Sequence, residues 1–378
     1  MTYTVYVSRS LLEIDPFHET MSNPIARRPS YILMTAPEDV ASLEVTTPSP
    51  ALPQPRTRKY GSRTDAVIII MDADLTGKTM LITGTNAGIG TETARALALK
   101  GAHVVMANRN IVQSEELKNK ILDEKPDAKI DFIVCDLSSL QSVQAAAKEF
   151  KEKHWPLHAL ILNAGVFAPQ QKTTIDGLET CFGVNHVGHF YLIRELLPLL
   201  RITDHSRIVI VSSHSHSHTG LKKEQSVEDK LRILSPTNAN DQTYRRYAYS
   251  KLCNVLTAMK LHRDEHKNGI SVYVLHPGTM IGTTIGRSYG LPGKIFGYLS
   301  KPFTKTLSQG AATTVYCAAS NEIADVSGKY WESCWDDENS LQKELAHDEE
   351  LQDALWVKTA DIIDQFENSK QPLSTVSS

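Results

Sequence analysis

Tyr247 is followed four positions later by Lys251, in the stretch RRYAYSKLCN. On a helix, residues four apart share a face. A phenol with a pKa of about 10 is a poor base near neutral pH, and a neighbouring ammonium stabilises its phenolate. Such a tyrosine can exchange a proton with a hydroxyl or a carbonyl while a hydride moves. Tyr244 and Tyr249 stand close by, but neither has a lysine at that spacing. Upstream, VSSHSHSHTG carries the pair Ser212 and Ser213 and three alternate histidines, His214, His216 and His218.

A second constellation is LITGTNAGIGTETARALA, with Gly84, Gly88 and Gly90 between an apolar run and an amphipathic one. Glycines let a chain turn tightly and let a pyrophosphate approach backbone N–H groups at a helix N-terminus. The spacing is TGxxxGxG; with Asn86 and Ile89 it makes a candidate dinucleotide loop. An acid about 20 residues beyond such a loop would bind a ribose 2′-hydroxyl. Here the second apolar run ends MANRN, with Asn108 and Arg109 at that place. An arginine can pair with a 2′-phosphate that an acid would repel, so NADP(H) is favoured over NAD(H).

These residues need a frame. From Leu75 onward short apolar runs alternate with amphipathic stretches, the pattern of a parallel sheet covered on both faces. The strands expected are TMLIT, HVVMA, KIDFIVCD, LHALILNAG, RIVIVSS, ISVYVLHPG and SGKYWES. Helices are expected through TETARALALK, from about Val112 to Asp123, and through SLQSVQAAAKEFKEK, HVGHFYLIRELLPLL and YAYSKLCNVLTAMKLHRDEHK, with a last one over about Ser340 to Phe366. The fold class is therefore α/β, a Rossmann-type doubly wound parallel sheet of about seven strands, spanning residues 75–366. Residues 1–74 include TTPSPALPQPRTRKYGSR, rich in proline and basic groups with little periodicity. They read as a disordered arm or linker, and 367–378 as a polar tail.

The 378 residues suffice for one large domain with extensions. Apolar content of 41%, charged content of 22% and a net charge of −3 exclude the profile of a nucleic-acid binder. The five cysteines are scattered and none forms CxxC, which fits a reducing compartment and argues against a zinc ribbon. No apolar run reaches the roughly 18 residues of a spanning helix, and MTYTVYVSRSLLEIDPFHE has no secretory pattern. The expected location is the cytoplasm.

TGxxxGxG, LNAG, VNHVGHFYL, VSS, YxxxK and HPG, in this order, resemble the short-chain dehydrogenase/reductase superfamily over residues 75–366. The resemblance implies a Rossmann fold and an NAD(P)-dependent oxidoreductase acting on CH–OH groups. It makes Tyr247 the general acid/base and Lys251 the group that tunes it and binds the nicotinamide ribose. Ser213 would hydrogen-bond the substrate oxygen, with Ser212 the lesser choice. Asn185 would complete a tetrad through a water relay to the lysine. Asp136, with Leu137 beside it, would contact the adenine. Asn163, Ala164 and Gly165 would support the central strand and the cofactor, and Pro277 and Gly278 would lie against the nicotinamide. Leu162 stands where the family often has the first Asn of NNAG. The resemblance also allows nuclear or mitochondrial placement and a homo-oligomer.

Between HPG and GAATTVYC, glycines and prolines mix with Ile281, Ile285, Leu291, Ile295, Phe296, Tyr298 and Leu299. The resemblance makes this a substrate cover. Its glycines suggest a mobile lid, and its apolar groups a hydrophobic alcohol or carbonyl compound such as a steroid or retinoid. The competing expectation is a nucleotide-binding regulatory protein with little turnover. Two tryptophans roughly 20 residues apart would mark a WW domain, but Trp155, Trp331, Trp335 and Trp356 all lie within 75–366. PPxY-peptide binding is therefore not expected. The histidines of HSHSH lack a cysteine or carboxylate at ligand spacing, so no metal is expected and they read as solvated loop residues.

Overall fold

The pentapeptide Thr79–Thr83 is buried at every position and forms strand β1. Apolar runs buried on both faces are what a parallel sheet between two helical layers requires. The computed structural model describes residues 58–236, 243–278 and 305–369. Within them β1 is joined by β2 (His103–Asn108), β3 (Ile130–Val134), β4 (Ala159–Leu162), β5 (Arg207–Val211), β6 (Ser271–His276) and β7 (Lys329–Glu332). The sheet order is β3-β2-β1-β4-β5-β6-β7, and every neighbouring pair is parallel. The winding reverses between β1 and β4. In open α/β sheets such a switch point opens a crevice at the carboxyl ends of the strands.

Alternate side chains feed the two faces. Leu81, Val105, Leu160, Ile208 and Val274 pack on one side with α4 (Leu140–Glu152), α6 (Gly188–Arg201) and α8 (Thr243–Glu265). Ile82, Met106, Ile161, Val209 and Leu275 pack on the other with α2 (Ile89–Leu99), α3 (Ile111–Glu124) and α9 (Leu307–Ala319). Fully buried Phe150 of α4 anchors the first layer; truncation of such a side chain to alanine costs about 3–5 kcal/mol. Asn110 and Ser139 cap α3 and α4 by accepting from Gln113 N and Ser142 N. Thr306 and Gln309 form a reciprocal capping box on α9.

Three features depart from the sequence reading. Residues 58–74, read as the end of the linker, contain helix α1 (Ala66–Ile69), and Ala66, Ile69 and Ile70 are buried. The backbone N–H of Ala66 donates to Ser308 Oγ at 3.2 Å. Ala66, Ile69 and Ile70 pack into one cluster with α9, though the run is too short to show a period. The last helical stretch is broken into α10 (Lys343–Ala346) and α11 (Glu349–Ser369). Asp348 forms the joint: its carboxylate accepts from Leu351 N at 3.0 Å and pairs with Lys230 Nζ at 2.9 Å. A short α7 (Val227–Leu234) was not anticipated, although Ser226 and Asp229 spell its cap. Residues 1–57, 370–378 and the expected lid residues from Ile281 to Leu299 lie outside the described residues.

Candidate active site

The glycine loop sits at the switch point. Gly84 and Gly88 have φ of +73° and +68°, the left-handed region that favours glycine. A Cβ on Gly84 would stand 2.7 Å from Ala164 Cα, and one on Gly90 would run into the Gly84 carbonyl and the Asn163 amide. The loop of β1 and the loop of β4 therefore touch without side chains between them. Asn163 Nδ2 donates to the carbonyls of Thr83 and Gly84 at 2.9 and 3.0 Å. The Thr83 hydroxyl accepts from the N–H groups of Asn163 and Ala164, both at 3.0 Å.

Helix α2 begins after Gly88 with no side-chain cap. Its first backbone N–H groups have no partner within the helix, and the loop in front of them, from Gly84 to Gly90, presents little bulk. Asn163 Oδ1 is buried beside the loop with no hydrogen-bond partner among the described residues. The bare loop and the helix N-terminus fit a dinucleotide pyrophosphate, and Asn163 Oδ1 can accept from a hydroxyl such as that of a ribose. Asn108, expected to touch cofactor, is instead buried. Its Oδ1 accepts from Thr85 N at 2.9 Å, and its Nδ2 donates to Thr85 Oγ1 at 2.7 Å and Ser114 Oγ at 3.0 Å. Asn86 is tied into the same network through Ser114 Oγ and the Asn110 carbonyl. Arg109 is exposed at the end of β2, with no partner among the described residues.

On the other side of the crevice, α8 carries Tyr247 and Lys251 along one face. Lys251 Nζ lies 5.5 Å from the centre of the Tyr247 ring and donates to the Val211 carbonyl at 2.9 Å. Burial pulls the lysine down to about 8. Burial also pushes the Tyr247 phenol up to about 12, against a hydrogen bond with Ser213 that lowers it. Ser212 points away and donates to the Lys251 carbonyl at 2.8 Å. The two adjacent serines thus divide: one fastens β5 to α8, the other faces the phenol.

Asn185 lies in a π turn (Gly183–Val187) ahead of α6 and is fully buried. Its Oδ1 accepts from Val166 N at 2.7 Å, and its Nδ2 donates to the Val166 carbonyl and to Ser250 Oγ at 3.0 and 2.9 Å. A Cβ on Gly165 would lie 3.3 Å from Lys251 Nζ and 3.4 Å from Asn185 Oδ1, so the bare backbone there keeps open the space between them. Asp136, after β3, accepts from Ser138 N and Ser138 Oγ at 2.9 and 2.7 Å. Leu137 is buried beneath Gly188, where a Cβ would meet its carbonyl at 2.7 Å. Pro277 and Gly278 are half-buried at the end of β6.

A family model described as short chain dehydrogenase matches residues 78–223. The WW domain-containing oxidoreductase of Homo sapiens is 41% identical over 313 residues, 82% of this chain and 74% of the relative. The chain belongs to the short-chain dehydrogenase family. Retinol dehydrogenase 12 of Mus musculus is 34% identical, over 77% of the chain and 88% of the relative. Among solved structures, an uncharacterised Mycobacterium paratuberculosis protein superposes with a TM-score of 0.57 at 26% identity, covering 77% of this chain and 95% of that one. L-Sorbose reductase from Gluconobacter frateurii, complexed with NADPH and L-sorbose, matches with a TM-score of 0.55 at 18% identity, over 69% and 96% of the two chains; that likeness speaks to the fold alone. This short-chain dehydrogenase is an oxidoreductase acting on CH–OH groups with NAD(P).

The family membership leaves the histidines of the dehydrogenase to be placed. Strand β5 stops at Val211, and His214–His218 form a turn of 3₁₀ helix capped by Ser213, whose hydroxyl accepts from Ser215 N. The rings of His214 and His218 meet edge to face at 5.0 Å, whereas His216 points away from them. His216 is not a solvated loop residue: it is fully buried. Its Nδ1 contacts the Ser213 carbonyl at 2.7 Å, and its Nε2 accepts from Gln342 N at 3.2 Å. Burial holds it down to about 4, so it is neutral. His218 is exposed and meets Tyr244 Oη at 2.8 Å. No group of three metal-ligating side chains occurs among the described residues, and no described helix is long and apolar enough to cross a membrane.

Sequence reasoning passed over three residues of the site. His189 joins Thr83 Oγ1, at 2.9 Å from its Nε2, to the Asn185 carbonyl, at 3.2 Å from its Nδ1; VNHVGHFYL contained it without a signal of its role. Ser250 supports Asn185 from inside the YxxxK motif. Lys305, reached across the undescribed segment, packs against Gly278 and is half-buried. Nothing in KPFTKTL marked it.

Proposed function

We propose that this dehydrogenase binds NADP(H) in preference to NAD(H) and interconverts a hydroxyl and a carbonyl on a small apolar substrate of the steroid or retinoid kind. The observation carrying the reading is the convergence of Ser213, Tyr247 and Lys251 beside the glycine cradle. The likeness to a retinol dehydrogenase supports the apolar substrate. The bound nicotinamide supplies or accepts the hydride. Tyr247 Oη gives a proton to the substrate oxygen in reduction and takes it in oxidation, and Ser213 Oγ holds that oxygen in place. Lys251 favours the phenolate through its charge.

Gly84, Asn86, Gly88, Ile89 and Gly90 cradle the pyrophosphate through backbone N–H groups, with Asn163, Ala164 and Gly165 forming the opposite wall. Asp136 and Leu137 border the adenine, and Pro277 and Gly278 the nicotinamide. Asn185 acts by fixing the Val166 turn beside Lys251 and through a water relay to the lysine. Free Arg109 takes the 2′-phosphate. Asn108, held inside by Thr85 and Ser114, shapes the loop in place of contacting cofactor. The test is turnover of a steroid and retinoid panel with NADPH and NADH, wild type beside Tyr247→Phe. Loss of turnover by a factor of about 10² or more is expected; turnover unchanged by Tyr247→Phe refutes the mechanism.

A further inference from the structure

We infer that Ser215, Tyr244 and His218 form a proton outlet from the Ser213–Tyr247 pair to solvent. The inference rests on the assignment of Tyr247 as acid/base above. The Tyr247 phenol faces Ser213, whose hydroxyl favours the phenolate. Ser213 Oγ lies 3.3 Å from Ser215 Oγ, Ser215 Oγ lies 3.4 Å from Tyr244 Oη, and Tyr244 Oη lies 2.8 Å from His218 Nδ1. From Ser213 outward every link is a side-chain group of this chain. The inner end is half-buried, whereas Tyr244 is 46% exposed and His218 is exposed.

The surroundings keep this path distinct. The Phe167 ring stands edge-on to Tyr247 at 5.1 Å and to Tyr244 at 6.5 Å, so the two phenols are linked through the serines and not directly. The 3₁₀ turn is what brings the serines into line: Ser213 caps it and Ser215 follows two residues later. His218 stacks on Tyr244 at 6.3 Å between ring centres, which sets the imidazole edge toward the phenol. On the interior side, the Asn185 amide is taken up by Val166 and Ser250, and Lys251 Nζ donates to Val211.

The proton balance closes. In oxidation the substrate O–H bond breaks, its proton goes to Tyr247 Oη, the carbonyl forms, and the hydride leaves to the nicotinamide. Tyr247 then passes its proton to Ser213 Oγ. Ser213 passes its own to Ser215 Oγ, Ser215 to Tyr244 Oη, and Tyr244 to His218 Nδ1. His218 releases the proton on Nε2 to solvent and returns to a neutral imidazole. Hydroxyl hydrogens rotate to suit their partners, so the same chain runs backwards in reduction.

The test has two arms on the full chain. The first needs no substrate. Solvent exchange of the Tyr247 hydroxyl is followed through the ¹³Cζ resonance in mixed H₂O and D₂O, the signal being assigned as the one lost in Tyr247→Phe. Exchange is expected to slow by about tenfold or more in Ser215→Ala and in Tyr244→Phe, as when a proton-transfer group is removed; unchanged rates in both variants overturn the outlet. The second arm is reduction of all-trans-retinal by NADPH. His218→Ala is expected to lower kcat about tenfold, with KM unchanged and kcat restored by added imidazole. A loss that imidazole does not restore overturns the role of His218. If the wild type reduces no retinal, the retinoid reading fails, and the exchange arm still decides the outlet.

Discussion

Ser212 donates its hydroxyl to the carbonyl of Lys251 at 2.8 Å, so the end of β5 is fastened to the helix turn that carries the ammonium. Its neighbour Ser213 caps the following turn and faces the Tyr247 phenol. Substitution separates the two roles. Ser212→Ala leaves a buried carbonyl without that donor and is expected to cost about 1–3 kcal/mol in urea unfolding. Ser213→Ala removes the cap of the 3₁₀ turn, is expected to cost about 0.5–1 kcal/mol, and lowers kcat by a factor of about 10². A comparable kcat loss in both, with no stability difference, would remove the distinction.

Gly84→Ala places a methyl group 2.7 Å from the Ala164 backbone at a φ of +73°. Neither wall can move without opening the contact between the loops of β1 and β4. NADPH binding by fluorescence titration is expected to weaken by more than about tenfold, equivalent to about 1.4 kcal/mol. Gly77 also has positive φ but nothing within 4 Å; Gly77→Ala is expected to leave the titration unchanged.

Arg109 and Asn108 are adjacent yet face opposite ways. Arg109→Ala is expected to weaken NADPH about tenfold through the lost charge-assisted contact, with NADH affinity unchanged. Asn108→Ala removes the bonds to Thr85 and Ser114 and is expected to weaken both cofactors alike. Equal NADH and NADPH affinities, unaffected by Arg109→Ala, would defeat the assignment of NADP(H).

Lys251 is buried as a cation and held down to about 8. An unfolded chain keeps its proton up to the usual lysine range near 10.4. Between those two values the unfolded state binds more protons, so stability rises with pH there. Below pH 8 the full cost of the buried ammonium is present. Lys251→Met is therefore expected to unfold at higher urea than the wild type at pH 7, by on the order of 2–3 kcal/mol, while losing activity. The gain should shrink from pH 8 towards 10; a gain that stays constant across that range contradicts the account.

His186, His189 and His276 are held near 3, and His216 near 4, all by burial first. An unfolded histidine titrates near 6.5. As pH falls through 6.5 the unfolded chain takes up protons that the folded chain refuses, so stability is present above 6.5 and is lost towards 4. Each such histidine contributes up to about 1.4 kcal/mol per pH unit. His216→Asn is expected to reduce the slope of unfolding free energy between pH 6 and 5 by about that amount; an unaltered slope would mean that His216 is charged when folded.

Apolar patterning located the seven strands; β5 and β6, buried at every position, leave runs such as IVIV and VYVL, whereas β3 and β7 are partly exposed. The TGxxxGxG and YxxxK spacings marked the glycine turn after β1 and one face of α8, because each depends on local geometry. What stayed hidden depends on contacts distant in sequence. Asn108 and Arg109 look interchangeable until Thr85 and Ser114 are seen to hold one inside. His216 looked solvated because Tyr330 and Gln342, which enclose it, lie more than a hundred residues on. Helix α1 was missed because four residues are too few to carry a period.

Helix α1 also fixes an order of events in synthesis. Its backbone bond to Ser308 spans 242 positions. At about 5–20 residues per second on the ribosome, the apolar side of Ala66, Ile69 and Ile70 waits roughly 12–50 s for α9 to be made. During that interval the nascent chain shows the cell an uncovered segment ahead of its first strand, a window in which a chaperone can act and which closes when α9 is in place.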